Sequence, residues 1–384
     1  VTTSDHISIL NNTIYNSGGH AYGYHQQGIH FRTVTDSVID GNVSHDNSCV
    51  GILLSHSSNN NVISNNYTYS NYSDFPVTPT TKTDAAGIEL RDSDSNLVIH
   101  NVVYGNEDSG INMYLVSGDG AQNNLIIGNL VYGNRDHGID NNNSSSQFII
   151  GNTVQGNHTS GINLEANSFG GVIINNIVSD NGIAPAEGRK AYNIYIDGTS
   201  TSGTTLDYNL YYLSPGYSTQ IKWDTSGYTS LAAFVAAHPT QEIHGLEGDP
   251  LFLNPAPPAG IYDASTGGDY HLLSGSPAID SANSDAPSQP DTDIEGYDRT
   301  DDPAVADTGS GTRTFDDRGA YERQTNVLSV TGITAISKVY DGLTSATINT
   351  TSATLVGVAP GDDVTLVTSS AVGTFSDENV GPGK

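Results

Sequence analysis

Short runs of alternating apolar and polar residues recur along the first half of the chain. Six of these runs begin with a Gly-Ile pair, and they read GIHFR, GILLS, GIELR, GINMY, GIDNN and GINLE from Gly28, Gly51, Gly87, Gly110, Gly138 and Gly161. Three of the five intervals between successive pairs are 23 residues, and the other two are 36 and 28 residues. The longer intervals equal the same period with loop insertions. The pattern therefore predicts a repeat with 23 residues in each unit.

Two columns of asparagine keep their register through both insertions. The first column is Asn42, Asn66, Asn101, Asn129, Asn152 and Asn176, and the second is Asn47, Asn71, Asn106, Asn134, Asn157 and Asn181. Short β-runs such as NVISNN and LIIGNL precede them, so that each unit has room for three short strands but not for a strand and a helix. We expect the asparagines to lie at the corners of stacked coils. There an asparagine tolerates the left-handed conformation and can bond from coil to coil.

This repeat resembles the right-handed parallel β-helix of the pectate-lyase-like superfamily. The resemblance covers residues 1–254 and implies an all-β solenoid of about seven coils, in which each coil buries its apolar side chains against its neighbours. After Asp197 the pattern loosens, and SLAAFVAAHP at residues 230–239 predicts a short helix. We therefore assign residues 1–254 to the β-helix and its capping segment.

Two other segments follow the repeat. DPLFLNP from Asp249, YHLLSGSPAIDSA from Tyr270 and DDRGAYE from Asp316 resemble the C-terminal part of bacterial choice-of-anchor Q surface proteins, so residues 255–326 are predicted to be an acidic, loop-rich region. KVYDG from Lys338 and FSDENVGPGK from Phe375 resemble the YDG domain of large bacterial adhesins. Residues 327–384 are therefore predicted to be a small β-rich module. Both resemblances imply an extracellular or cell-surface protein, and we expect the chain to be a piece of a longer one.

Charge and composition exclude several kinds of partner. The chain has 13 Lys and Arg against 42 Asp and Glu, and its net charge of -29 opposes nucleic acids and anionic membranes. Cys49 is the only cysteine, which excludes an internal disulfide and a cysteine-based zinc cluster. No apolar run reaches the length of a membrane span. We expect a monomer that is not inserted in a membrane.

Alternation along the Gly-Ile runs turns two columns of side chains away from the core. The first column is His30, Leu53, Glu89, Asn112, Asp140, Asn163 and Tyr195, and the second is Arg32, Ser55, Arg91, Tyr114, Asn142, Glu165 and Asp197. Adjacent rungs of such a sheet are roughly 4.8 Å apart, so two rungs span about one sugar residue. We expect this solvent-facing stripe to bind an extracellular polysaccharide through His30, Arg32, Glu89, Asn112, Asp140, Asn142, Asn163 and Glu165.

Acidic residues precede three of the Gly-Ile pairs, at the corner that leads into the same sheet. Oxygen ligands from neighbouring rungs suit Ca²⁺, which takes six to eight of them. We therefore predict a calcium site that bridges the protein and a uronate carboxylate, with the ligands Asp84, Glu107, Asp108 and Asp136. The insertion at residues 74–85 brings Lys82 over these coils and is predicted to form a wall of the cleft.

Resemblance to β-helix polysaccharide lyases implies a reaction for this stripe. In those enzymes a cation or an arginine neutralises the uronate, and a base removes the proton at C5. Arg91 or Ca²⁺ is the candidate for neutralisation, and the candidates for proton transfer are His137, Lys82 and Tyr114.

The same residues are compatible with other functions. A mannuronan-epimerase-like reaction would need similar groups, but the DPHE motif of those epimerases is absent, and YGYHQQG offers only Tyr24 and His25. Glycoside hydrolysis would need two carboxylates on either side of a bond, and Glu89 and Asp140 are candidates. A third alternative is a non-catalytic surface adhesin or glycan-binding stalk, and a fourth is a bare spacer.

Overall fold

The structure is a computed structural model that describes residues 4–18, 26–72, 85–116, 120–182, 191–215, 220–257, 267–324, 328–358 and 364–381. Lys82, Asp84, Tyr24 and His25 lie outside the described residues. The chain forms two compact units, Val1–Arg323 and Gln324–Lys384. Within the described ranges, no helix has the length and the apolar composition needed to cross a membrane.

Three parallel sheets build the first unit, and the chain passes through them in turn in every coil. Sheet 1 contains the Gly-Ile runs and consists of Ile29–Arg32, Ile52–Ser55, Ile88–Arg91, Ile111–Tyr114, Ile139–Asn142, Ile162–Glu165, Ile194–Ile196 and Ile221–Trp223, with Ser226–Tyr228 antiparallel at its end. Sheet 2 consists of Ser8–Leu10, Val38–Asp40, Val62–Ser64, Leu97–Ile99, Leu125–Ile127, Phe148–Ile150, Val172–Ile174 and Thr205–Asp207. Sheet 3 consists of Thr13–Tyr15, Val43–His45, Tyr67–Tyr69, Val102–Tyr104, Leu130–Tyr132, Thr153–Gln155, Ile177–Ser179, Leu210–Tyr212 and Leu246–Glu247.

The parallel β-helix prediction is confirmed, with a small difference in the number of coils. Sheet 2 alone has eight parallel strands where the sequence predicted about seven coils. The first strands of sheets 2 and 3 and the last coils lack the Gly-Ile signature, which is why the motif count was low. A short parallel pair, Ser4–Asp5 with Val34–Thr35, extends the N-terminal end.

Apolar side chains from all three sheets form one core that runs along the axis of the coils. In sheet 1 the first and third residues of each run point inward, and Ile52, Leu54, Ile88 and Leu90 are completely buried. The second and fourth residues therefore point away from the axis, which places the two predicted columns on one outer face.

The glycine of each Gly-Ile pair is required by close packing between coils. These glycines do not have positive φ angles. A Cβ atom added at Gly138 would lie 2.6 Å from the carbonyl oxygen of Gly161 in the next coil and 2.7 Å from the amide nitrogen of Asn157. A Cβ atom added at Gly110 would likewise lie 2.8 Å from the carbonyl oxygen of Gly138. A side chain at these positions would push the coils apart.

The asparagine columns form continuous hydrogen-bonded ladders. Asn129 donates its side-chain amide to Asn152 Oδ1 at 3.0 Å and to the carbonyl of Val98 at 2.9 Å, and its own Oδ1 accepts from Asn101. This ladder ends where Asn209 donates to Glu242 at 2.6 Å. The predicted bonding from coil to coil is thus present, but the predicted left-handed conformation is wrong for the ladder residues. It belongs to the residue before each of them, such as Gly128 or Gly151.

Replacing a ladder asparagine should be costly. In Asn129→Leu the buried backbone N–H of Asn101 loses its acceptor and the carbonyl of Val98 loses a donor. The side-chain amide of Asn101 keeps only its bonds to the carbonyls of Ile63 and Ile99. Each such group costs about 1–3 kcal/mol, so we expect the free energy of unfolding to fall by about 3 kcal/mol. Chemical denaturation followed by circular dichroism measures this change. Asn254→Leu, at an exposed position, is the control, and equal losses in the two variants would contradict the ladder's role.

One short helix covers the C-terminal end of the coils. It spans Leu231–Ala237, inside the predicted range, and the side chain of Ser230 caps it by accepting from the N–H of Ala233. Leu231 and Phe234 are buried in the core of the β-helix, and the ring of Phe234 lies 5.8 Å from that of Trp223. The helix therefore closes the end of the apolar core.

Residues after the last coil fold back onto sheet 3. The strands Phe252–Asn254 and Asp269–Leu272 pair antiparallel, and Tyr270 donates to Gln155 Oε1 of sheet 3 at 2.9 Å. The buried guanidinium of Arg318, in the DDRGAYE motif, donates to the carbonyls of Ser281, Asn209 and His244 at 2.9–3.0 Å. The acidic region up to Arg323 thus belongs to the same compact unit as the coils.

His271 joins two parts of this acidic region. Its Nδ1 lies 2.6 Å from Asp269 and its Nε2 lies 2.9 Å from Glu295. Burial lowers the pKa of His271, but the two carboxylates outweigh it and raise the pKa above 6.5. The protonated form is therefore favoured by folding, so its contribution to stability is complete below the unfolded pKa and disappears as the pH rises through the folded pKa.

We accordingly expect His271→Gln to destabilise the protein more below pH 6.5 than in alkaline solution. Denaturation curves of both proteins across pH measure the difference in the free energy of unfolding. His6→Gln, whose side chain is 81% exposed, is the control. A destabilisation that is independent of pH would contradict the charged bridge.

The second unit is a small antiparallel β module, as predicted. Ser329–Thr331 pairs with Thr354–Val356, and Ser345–Asn349 pairs with both Thr334–Ile336 and Gly373–Thr374. In the KVYDG motif, the ammonium of Lys338 lies 2.8 Å from Asp341 and 5.7 Å from the ring centre of Phe375.

Candidate functional site

The two outward columns of sheet 1 are in the predicted register. The first column pairs His30, Leu53, Glu89, Asn112, Asp140, Asn163 and Tyr195 in sequence across neighbouring strands. The second column pairs Arg32, Ser55, Arg91, Tyr114, Asn142 and Glu165 in the same way. Residues as far apart in the chain as Arg32 and Glu165 thus share one face, which we call the groove face.

A hydrogen-bonded network forms the N-terminal end of the groove face. Arg32 Nη2 lies 3.3 Å from His56 Nε2, His56 Nδ1 lies 3.0 Å from Ser55 Oγ, and Ser55 Oγ lies 2.8 Å from His30 Nε2. Desolvation, followed by the positive charges of Arg32, His56 and Arg91, lowers the pKa of His30.

Arg91 and Tyr114 lie side by side in the next two rungs. They are directly paired in neighbouring strands, so their backbones are separated by about 4.8 Å. Glu89, which is 1% exposed, holds the guanidinium of Arg91 at 2.6 Å, and both groups project from the same strand. This buried carboxylate fixes the orientation of the arginine.

Two buried amide oxygens lie beside Asp140 in the middle of the groove face. Asn163 donates its amide N–H to Asp140 Oδ1 at 2.5 Å. Asn163 Oδ1 and Asn112 Oδ1, on the two rungs that flank Asp140, have no hydrogen-bond partner. Because buried polar atoms are normally paired, these oxygens indicate a place where a donor from a ligand would be stabilised.

The C-terminal end of the groove face is acidic. Asn142 donates to Glu165 Oε1 at 2.9 Å, and Asp197 accepts from the backbone N–H of Ala166 at 2.9 Å. The face is therefore polarised, with Arg32 and Arg91 towards its N-terminal end and carboxylates towards its C-terminal end.

The expectation of a fully solvent-exposed stripe is wrong for the middle coils. His30 and Arg32 are exposed, but Glu89, Asn112 and Asn163 are 1%, 9% and 0% exposed. They point away from the core and are nevertheless buried. Asp140, Tyr114, Asn142 and Glu165 are partly exposed and form the accessible layer.

His137 and three of the predicted calcium ligands lie at the corner before sheet 1. His137 is 7% exposed, its Nδ1 accepts from the N–H of Ser160 at 3.1 Å, and its Nε2 lies 3.7 Å from Asp136. Glu107 lies 3.6 Å from Arg135.

Among the described residues, the side chains of Glu107, Asp108 and Asp136 do not form a set of three with ligand atoms within 4.8 Å of one another. The fourth predicted ligand, Asp84, lies outside the described residues, so the calcium site at this corner stays a prediction.

Sequence reasoning missed His56 as part of the site. It follows the last residue of a Gly-Ile run by one position and therefore falls outside both columns. The signal was a second histidine one rung before Arg91, in a chain with only 13 Lys and Arg. Ser55, which was placed in a column but not predicted to act, connects this histidine to His30.

This arrangement has the chemical groups needed to bind and act on an acidic sugar polymer. An oriented arginine can neutralise a carboxylate, a tyrosine hydroxyl on the next rung can exchange a proton, and unpartnered amide oxygens can accept from sugar hydroxyls. The aligned rungs present these groups in a row.

Comparisons with known proteins agree with the fold. A family model described as "right handed beta helix region" matches residues 1–119 and 81–231, and a model described as "YDG domain" matches residues 322–384. A comparison with curated protein sequences gave no match.

Several solved structures are similar over part of the chain. The periplasmic alginate epimerase AlgG is 22% identical over 49% of this chain and 42% of its own, with a TM-score of 0.37. The pectate lyase Pel9A is 17% identical over 81% of this chain and 70% of its own, with a TM-score of 0.46. The Dettilon tailspike protein is 16% identical over 63% of this chain and 47% of its own, with a TM-score of 0.46. The chain thus spans less than half the length of the epimerase and of the tailspike.

Proposed function

The chain belongs to the right-handed β-helix family, and from that premise we propose that its groove face binds an acidic extracellular polysaccharide and cleaves it by β-elimination. The observation that carries the proposal is the pair of unpartnered buried oxygens, Asn112 Oδ1 and Asn163 Oδ1, which flank Asp140 in a row of polar side chains.

The row of polar groups suits a linear polymer. Adjacent rungs are about 4.8 Å apart, so two rungs span roughly one sugar residue. The polar groups therefore repeat at a spacing that a sugar chain can follow. Asn142 and Glu165 continue the row beyond Asp140, so that several consecutive sugars would find hydrogen-bond partners. A small molecule would use only a fraction of this face.

An acidic polymer suits the N-terminal half of the face. Arg32 and Arg91 lie two rungs apart in one column, in a chain that has only 13 Lys and Arg in all. Arginine recognises carboxylates with two parallel hydrogen bonds, which favours uronates over neutral sugars. Because the chain as a whole has a net charge of -29, an anion is repelled by most of the surface. The N-terminal half of the groove face, with its two arginines, is therefore the more favourable place for it.

β-Elimination needs three contributions from these residues. Arg91 would neutralise the uronate carboxylate and so make the C5 proton more acidic. Tyr114 would relay the proton: the C5–H bond breaks and its electrons form the C4=C5 double bond, the phenol oxygen of Tyr114 takes the C5 proton, and the C4–O4 bond breaks as the hydroxyl proton of Tyr114 passes to O4. Asp140, Asn112 and Asn163 would hold the sugar hydroxyls. His137 remains a candidate for proton transfer only if its corner opens towards the face.

A panel of uronate polymers tests this proposal. Incubation of the protein with each polymer should give an unsaturated product, which is measured by its ultraviolet absorbance, and Arg91→Gln should abolish it. Arg135→Gln, an exposed arginine outside the columns, is the matched control. The same assay with a chelator tests whether a divalent cation contributes. No product from any polymer would overturn the elimination reaction.

A second candidate function is glycan binding without turnover, as a surface adhesin or stalk. The observation that favours it is the β module at residues 322–384, which matches the YDG model. Binding on a glycan array that survives in Arg91→Gln, with no product in the polymer panel, would select this function. Both candidates place the protein outside the cell.

A further inference from the structure

Three aspartates outside the groove face converge in the acidic region that follows the coils. Carboxylate oxygens of Asp280, Asp301 and Asp307 all lie within 4.8 Å of one another. Asp280 is completely buried, whereas Asp301 and Asp307 are exposed. The cluster is therefore open to solvent on one side and closed by protein on the other.

Backbone hydrogen bonds hold the three residues in this arrangement. The carbonyl of Asp280 accepts from the N–H groups of Thr308 at 2.8 Å and Gly309 at 3.0 Å. The N–H of Asp280 donates to Asp317 at 2.8 Å, and the N–H of Asp302 lies 3.4 Å from Asp280 Oδ1. The loop from Asp301 to Gly309 thus wraps around Asp280 and brings an aspartate to it from each end of the loop.

A second observation points to a ligand at this place. Asp280 Oδ2 is buried and has no hydrogen-bond partner. A buried carboxylate oxygen without a donor, beside two other carboxylates, is costly unless a positive charge compensates it.

Among the described residues, two arginines next to the cluster bind other carboxylates. Asp302 lies 3.2 Å from the guanidinium of Arg323, and the buried guanidinium of Arg299 lies 2.8 Å from Glu322. Asp307 accepts from the hydroxyl of Thr314 at 2.7 Å, which orients its carboxylate without neutralising it. The nearby arginines are thus paired with carboxylates outside the cluster.

We propose that Asp280, Asp301 and Asp307 form a divalent cation site, most suited to Ca²⁺, that ties the acidic region together. Three carboxylates provide three to six of the oxygen ligands that Ca²⁺ takes, and water can complete the shell from the exposed side. Mg²⁺ demands a stricter octahedral arrangement and gives up its water reluctantly, so it fits an irregular loop less well. The site is independent of the groove face and of any reaction there.

Calorimetric titration of the whole protein with CaCl₂ tests the proposal. Asp301→Asn/Asp307→Asn removes two exposed ligands and leaves the buried Asp280 in place, so the fold should persist, which circular dichroism checks. We expect the double variant to bind one Ca²⁺ fewer than the wild type, or to bind it more than about tenfold more weakly. Asp224→Asn, an exposed acidic residue on the coils, is the control and should bind as the wild type does.

Three outcomes decide the matter. Loss of one Ca²⁺ in the double variant alone supports the site. Equal Ca²⁺ binding in the wild type and the double variant, or none in either, would overturn it. Tighter binding of Mg²⁺ than of Ca²⁺ in a parallel titration would overturn the assignment to calcium. None of these readouts depends on polysaccharide cleavage, so they fail separately from the proposed function.

Discussion

Replacing Tyr114 by phenylalanine is expected to slow the cleavage of a uronate polymer by about 10²–10⁴-fold, the usual contribution of a positioned acid or base. The ring packs as before and only the hydroxyl is lost, so binding of the polymer should change little. Tyr114 is paired with Arg91 in the neighbouring strand, which places the two side chains on adjacent rungs of the groove face. Initial rates of ultraviolet absorbance and a separate binding titration measure the two effects.

Tyr69→Phe provides the matched control for this variant. Tyr69 lies in sheet 3, and its ring is stacked between those of His45 and Tyr104 at 4.8 and 5.0 Å. The same chemical change on that sheet should leave the rate unaltered. If Tyr114→Phe cleaves as fast as the control, Tyr114 does not transfer the proton, and His137 becomes the leading candidate among the described residues.

A valine at Gly138 is expected to lower the free energy of unfolding by about 3 kcal/mol or more. Its Cβ alone would lie 2.5 Å from a methyl group of Val154 and 2.6 Å from the carbonyl oxygen of Gly161. Overpacking of this kind typically costs about 1–3 kcal/mol, and separation of the coils would also weaken the hydrogen bond from Ile139 N–H to that carbonyl, which is 2.8 Å long. Chemical denaturation measures the loss.

Gly267 offers a control for the backbone effect of the substitution. It also lacks a positive φ angle, and an added Cβ there would meet no atom within 4 Å. Gly267→Val should therefore leave stability nearly unchanged. If Gly138→Val were as stable as this control, the glycines would not be needed for the contact between coils.

The period of the sequence was enough to predict which residues become neighbours on sheet 1. In a solenoid each coil has a fixed length, so a shared position in the repeat means a shared position in the sheet. The pairs Glu89 with Asn112 and Arg91 with Tyr114 follow from the motif alone, and the structure has both. The two insertions did not disturb this register because they lie between strands.

The solvent exposure of side chains on the groove face could not be predicted from the 23-residue repeat. Alternation gives the direction of a side chain and not what lies above it, so Glu89 and Asn163 were expected in solvent and are buried.

The aspartate cluster of the acidic region could not be predicted from the sequence either. The sequence of this region has no repeat. The convergence of Asp280 with Asp301 and Asp307 depends on loop contacts between residues that are distant in sequence.

Conformation at the corners was predicted only in part. Asparagine is common both in ladders and in left-handed positions, so its presence did not distinguish the two roles. The structure separates them, because Asn176 bonds along the ladder while the preceding Asn175 has a φ angle of 62°. A residue's position relative to the strand end, rather than its type, decides which role it takes.

A crystal structure of the protein with a uronate oligosaccharide would test the central proposal most directly. We predict that the sugar lies along sheet 1, with a carboxylate within hydrogen-bond distance of Arg91 and hydroxyls on Asn112 Oδ1 and Asn163 Oδ1. An oligosaccharide bound to another sheet, or a groove face that stays without sugar in crystals grown at saturating concentration, would contradict it.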